Sequence, residues 1–123
     1  MRAADCFISG SHRESTGYAL IEALACGLPP LVTDIPSFRA LTGDGAVGQL
    51  WRAGDAPSLC AALLRMRAQA TPADRAAVRE HFARELSLAA LGRKLTAIYA
   101  DLVARDERAS YACPQPGKTA MRA

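Results

Sequence analysis

An α/β fold built on a short parallel sheet is what this 123-residue chain predicts, on three observations. Between residues 4 and 66, strand-like runs and helical segments take turns, the rhythm of helices packed on a parallel sheet. The strand-like runs are short and mostly apolar, and a thin parallel sheet of that kind needs helices on both faces. Half of the residues are apolar and 22% are charged, so the chain can bury a core and is not disordered overall. The length allows one domain at most.

Taken in order, residues 4–9 (ADCFIS) read as a buried strand, followed by a polar loop, GSHREST. A compact apolar helix is predicted over residues 17–26. Gly27 is placed to end it in the left-handed conformation, and Pro29-Pro30 prevents its continuation. Residues 31–33 form a second strand. Pro36 opens a turn of helix through Leu41, GDG at 43–45 is a turn, and residues 47–51 are a third strand. Asp55 caps the next helix, with Pro57 in its first turn and Leu59, Leu63 and Met66 on one face. Thr71-Pro72-Ala73-Asp74 starts a helix that runs to about Arg84. From residues 87 to 103, Leu88, Leu91, Leu95, Ile98 and Leu102 recur at spacings of three and four, an amphipathic helix with one stripe to bury. The last stretch has two prolines, a glycine and no periodicity, and reads as a disordered tail. The expected organisation is therefore 1–68 as a partial sheet domain, 69–104 as a helical segment and 105–123 as the tail. Three short strands need helices on both faces, so the pattern reads as the second half of a doubly wound domain.

Charge and cysteine content exclude several functions. The net charge is +3, but residues 105–123 hold four basic and two acidic residues, which leaves the rest at +1. A body so close to neutral is a poor footprint for nucleic acid. Cys6, Cys26, Cys60 and Cys113 stand 20, 34 and 53 residues apart with no CxxC, so neither a zinc site nor a disulfide scaffold is indicated. A reduced, cytoplasmic setting fits that usage. No apolar stretch approaches the roughly 18 residues of a membrane span, and the opening segment is not expected to be a secretory signal.

The stretch with chemistry in it is residues 13–27, RESTGYALIEALACG. A carboxylate, two hydroxyl residues and a glycine precede a helix that contains one charged residue, Glu22. Helix N-termini present unpaired N–H groups and about half a positive charge, which favours phosphate, and Gly17 permits close backbone approach there. Glu22 lies about 7 Å along the axis from Gly17 at 1.5 Å per residue. A diphosphate at the helix start and a ribose beside Glu22 match that separation. Equally, Glu14 reads as an ordinary helix-start carboxylate and Glu22 as a solvent-facing one; spacing by itself leaves both readings open. Elsewhere, Asp34 follows a strand, where aspartate commonly satisfies the backbone. Trp51 is expected in the core. Arg13 and His12 are expected as surface residues, and His81 on a solvated, charged helix face.

Residues 4–66 resemble the C-terminal part of the retaining GT-B glycosyltransferases of group 1 (GT4-type). The resemblance rests on ADCFISGSHRESTGYALIEALACGLPPLVTD, then GAVGQLW and GDAPSLCAAL, in the family's order and spacing. Glu14 and Glu22 fall on the family's Glu-x7-Glu motif, with Gly17 on its glycine. HFARELSLAALGRKLTAIYADL is similar to the family's C-terminal helical segment. Ser15-Thr16 stands where the family commonly has Gly-Phe, a change in the sugar pocket that leaves the backbone groups in place.

The resemblance implies a Rossmann-like half-domain and transfer of a sugar, with retained anomeric configuration, from a nucleotide-diphosphate-sugar to a hydroxyl. Glu14 would be the catalytic carboxylate facing the sugar. Ser15, Thr16, Gly17 and Tyr18 would hold the sugar and diphosphate, and Glu22 would bind the ribose. The scheme needs no metal and no cofactor beyond the donor substrate. The acceptor would be a glycan or a lipid-linked hydroxyl, and the setting cytoplasmic or peripheral at the inner face of a membrane. The family also uses an N-terminal domain for the acceptor, together with a glycine loop and a basic pair for the diphosphate, none of which lies in these residues. The chain is thus expected to be a C-terminal fragment. Two other readings stand beside transfer: a non-catalytic nucleotide-sugar-binding module, and one subunit of a split enzyme completed by a partner chain. In the family the last helix packs back toward the N-terminal domain, so here the stripe from Leu88 to Leu102 is expected to be bare and to promote association.

Overall fold

The computed structural model describes residues 3–69 and 71–111, without the side chains of 68–69 and 107–111. The elements are β1 (Phe7–Ser9), α1 (Tyr18–Ala25), β2 (Pro30–Thr33), α2 (Pro36–Thr42), β3 (Gln49–Trp51), α3 (Ala56–Gln69), α4 (Pro72–Glu85) and α5 (Leu88–Tyr111). The fold is α/β: one parallel sheet in the order β1-β2-β3, flanked by helices. It is a partial Rossmann-like domain, as expected. Ile8 pairs with Leu31 and Val32 with Leu50, so β2 lies between two partners while β1 and β3 each have one.

The period of two along β2 divides the core. All four of its residues are buried, and adjacent side chains point to opposite faces. On one face Val32 joins Leu20 and Leu24 of α1, Phe38 of α2 and Val78 of α4, with Ile35 and Val47. On the other, Leu31 joins Trp51, Ala62 and Met66, so α3 covers that side. Helices therefore lie on both faces, which is the only way for a fully apolar parallel strand to leave water.

Local chemistry sets the helix ends. Gly27 has φ +70°, its N–H donates to the Leu24 carbonyl, and the Leu28 N–H donates to that of Ala23. These two bonds satisfy the last carbonyls of α1 in a Schellman motif. The Asp55 carboxylate accepts from the Ser58 N–H at 2.9 Å and caps α3. Thr71 and Asp74 bond reciprocally as a capping box at the start of α4. All three signals were legible as residue types.

Three expectations need correction. Leu63 is 44% exposed, and Ala62, fully buried, takes its place with Met66 on the inner face of α3. His81 is not solvated but 5% exposed. Its Nε2 lies 2.8 Å from the Leu41 carbonyl, which can only accept, so Nε2 donates. The neighbouring charges face elsewhere, because Val78, His81 and Phe82 share one helix face at i, i+3 and i+4. Finally, α5 carries on through Tyr111, past the point where the tail was expected; residues 112–123 of that tail lie outside the described residues.

The chain divides into two units, Met1–Leu91 and Gly92–Ala123. The first contains the sheet, α1 to α4 and the opening of α5. The second contains the rest of α5. Among the described residues no helix is long and apolar enough to cross a membrane.

Candidate functional site

The loop from β1 into α1 leaves the sheet at the carboxyl ends of its strands, where open α/β sheets bind ligands. Its course depends on Gly17, which caps α1 at φ 67°, ψ 39°. An L side chain is strained there, and a Cβ would stand 2.8 Å from Leu41 Cδ1 and 3.4 Å from Phe38 Cε1. Because Gly17 lets the loop press onto α2, its carbonyl can accept from the Leu20 and Ile21 N–H groups at 2.9 and 3.1 Å and start the helix.

Around this turn is a hollow of about 230 Å³ lined by Glu14, Ser15, Thr16, Gly17 and Tyr18, backed by Phe7, Ser9, Leu20 and Phe38. Tyr18 and Ala19, which also lines it, are the first two residues of α1, with no earlier helical residue to accept from their N–H groups. Five of the six expected site residues are thus brought to one hollow. The sixth, Glu22, is exposed further along α1 and does not line it. A second, more open hollow of about 620 Å³ shares Glu14 and Ser15 and is completed by His12, Arg13, Ile35, Pro36 and Ser37. Glu14 and Ser15 therefore line both.

Reasoning from sequence missed what holds Glu14. Ser11 Oγ donates to Glu14 Oε2 at 3.5 Å, Ser9 Oγ lies 3.2 Å from Ser11 Oγ, and the buried Thr33 hydroxyl donates to the Ser11 carbonyl. Polar contacts thus run from the ends of β1 and β2 to Ser11, and a long, exposed one continues from Ser11 to the carboxylate. The only sequence signal was the pair of serines two apart at the strand end. Asp34, a further carboxylate near the strand ends, is committed to Arg39, whose Nη2 donates to Oδ2 at 2.6 Å while Nε bonds Oδ1. That hydrogen bond and the charge of Asp34 raise Arg39 further above its ordinary value, helped by Asp44. Asp34 is thereby occupied within the fold.

The arrangement is a carboxylate, the hydroxyls of Ser9, Ser15, Thr16 and Tyr18, and a helix start around one hollow. The family model described as glycosyl transferases group 1 matches residues 1–81. The chain is 40% identical over 67 residues to the phosphatidyl-myo-inositol mannosyltransferase of Mycobacterium leprae, covering 54% of this chain and 18% of that protein. It is 32% identical over 111 residues to the D-inositol 3-phosphate glycosyltransferase of Geodermatophilus obscurus, covering 88% of this chain and 24% of that protein. The chain thus spans about a fifth to a quarter of the length of these relatives. With the matching model covering well over half of its residues, the chain belongs to the group 1 glycosyl transferases.

Proposed function

We propose that this chain supplies the donor side of a sugar-transfer site, moving a sugar from a nucleotide-diphosphate-sugar to a hydroxyl with retention of anomeric configuration. The observation that carries the reading is the gathering of Glu14, Ser15, Thr16, Gly17 and Tyr18 around one hollow at the start of α1. In this reaction the bond from the anomeric carbon to the diphosphate oxygen breaks. The acceptor oxygen takes its place, and the hydroxyl proton ends on the departing diphosphate. The largest demand is to stabilise charge on that diphosphate, for which the first turn of α1 is suited. Glu14 would face the sugar near its reacting carbon. Glu22, outside the hollow and exposed, would be free to accept from ribose hydroxyls. The names of both relatives contain an inositol with an attached phosphate, so we take an inositol hydroxyl as the acceptor class.

The test is a thermal melt of the purified chain, alone and with uridine, guanosine or adenosine diphosphate. Ligand at a hundred times its dissociation constant adds about 2.7 kcal/mol to a folded chain. The expected result is a melt raised by one nucleotide, lost in Glu22→Ala and kept in Glu14→Ala. In the latter, the extra shift given by the whole nucleotide-sugar disappears instead. A melt that no nucleotide moves, or one that Glu22→Ala leaves unchanged, would overturn the assignment.

A further inference from the structure

The second hollow, of about 620 Å³, lies where the loops after β1 and β2 meet. His12, Arg13 and Ser15 come from the first loop, and Ile35, Pro36 and Ser37 from the connection into α2. The His12 ring also reaches the turn after β3, where a Cβ on Gly54 would stand 3.6 Å from its Cε1. Sheets of this kind hold ligands at the carboxyl ends of their strands. We propose that this hollow receives the acceptor, a polyol phosphate whose anionic group is held by Arg13 and His12. The proposal rests on the donor reading of the first hollow. It gives this chain a share of the acceptor site, beside what the family's N-terminal domain supplies.

The lining chooses the ligand. Arg13 is exposed and has no ion-pair or hydrogen-bond partner among the described residues. Asp34, next to the lining residue Ile35, does not serve as one because Arg39 holds it. Of the lining residues only Glu14 is acidic. An anion is therefore drawn to Arg13 and kept away from Glu14, which leaves a hydroxyl of the same ligand to face Glu14. Ile35 and Pro36 add an apolar wall for the C–H face of a polyol ring, the usual mixture in a ligand site. Because Glu14 and Ser15 line both hollows, a sugar in one and a hydroxyl in the other meet at those two residues. Transfer requires that meeting.

The experiment is a titration of the full chain at fixed pH and ionic strength, followed by proton–carbon NMR of its two histidine rings. His12 lines the hollow, while His81, buried against the end of α2, is the internal control. The probes are myo-inositol 1-phosphate, glycerophosphoinositol, myo-inositol and inorganic phosphate. The expected result is that one or both phosphate esters move the His12 signals saturably and leave those of His81 in place. The tighter ester shows whether a free monoester or the diester of a lipid headgroup is the source. Arg13→Gln, at an exposed position, should weaken the binding about fivefold, as losing one solvent-exposed charge-assisted bond does. Unchanged binding by that variant would overturn the proposal, and so would myo-inositol or inorganic phosphate binding as tightly as the esters. The nucleoside diphosphate that raises the melt should bind together with the ester; displacement of one by the other would put both in the donor hollow and overturn it too. Esters that leave His12 still, while a nucleotide raises the melt, would overturn this proposal and spare the donor reading. A melt that no nucleotide moves would overturn the donor reading, and an ester that then still moved His12 would mark an anion site with no acceptor role.

Discussion

Trp51 shows how much a single side chain can carry unevenly. Its indole is 8% exposed against Leu31, Ala62 and Met66, and its Nε1 is buried without a hydrogen-bond partner among the described residues. A buried donor left unpaired costs about 1–3 kcal/mol, which offsets part of what the ring gains by leaving water. Trp51→Phe removes the donor along with some ring area, so its net cost should stay below about 1 kcal/mol. Trp51→Ala, which also opens a cavity, should cost about 3–5 kcal/mol. Urea unfolding of the two variants reads the difference; equal losses would mean that the indole N–H is satisfied. Residue identity made the burial of Trp51 legible, since it closes an apolar strand. The missing partner was not legible, because it depends on what α3 places opposite the ring.

Among the elements, α4 is the one whose start has a measurable pH signature. The Thr71 hydroxyl and backbone N–H both bond the Asp74 carboxylate and hold it below its usual value of 3.8. A carboxyl lowered on folding stabilises the fold fully above its unfolded value, and that contribution is lost as pH falls through the lower folded value. The stability gap between the natural chain and Asp74→Asn should therefore be constant from neutral pH to about 4 and close below it. Melts across that range test this, and a gap that persists in strong acid would refute it. Capping signals of this kind were readable at Thr71, Asp55 and Gly27, because each works over three or four residues. The inner face of α4 was not. His81 stands among Arg79, Glu80, Arg84 and Glu85, so it looked solvated until packing against the end of α2 placed it in the core.

At the scale of the molecule, stability should be highest where the sheet is both paired and covered. Leu31 and Val32 of β2 are fully buried and paired with a strand on either side. Their amides should exchange with solvent only through global unfolding, whereas those of β1, with one strand partner and Ile8 half exposed, should exchange faster. Hydrogen exchange by mass spectrometry would show this directly; equal protection of β1 and β2 would mean that the open edge of β1 is covered. The same scale explains how the candidate site forms. Five of its residues are consecutive and could be named from a motif, yet the wall behind them comes from β1 and α2 and the support for Glu14 from Ser9, Ser11 and Thr33.

Residue order alone determined the alternation of strand and helix, the caps, the periodic stripe on α5 and the motif around Glu14. These are legible because backbone preference, capping and helical periodicity act between residues a few positions apart. Only the tertiary structure decided that Ala62 rather than Leu63 faces the sheet, that His81 is buried, that Asp34 is taken by Arg39, and that Glu22 stands outside the hollow that Glu14 lines. Each of those outcomes depends on which distant segment arrives opposite a given face. Burial and pairing are properties of two surfaces meeting, and a sequence shows only one of them at a time.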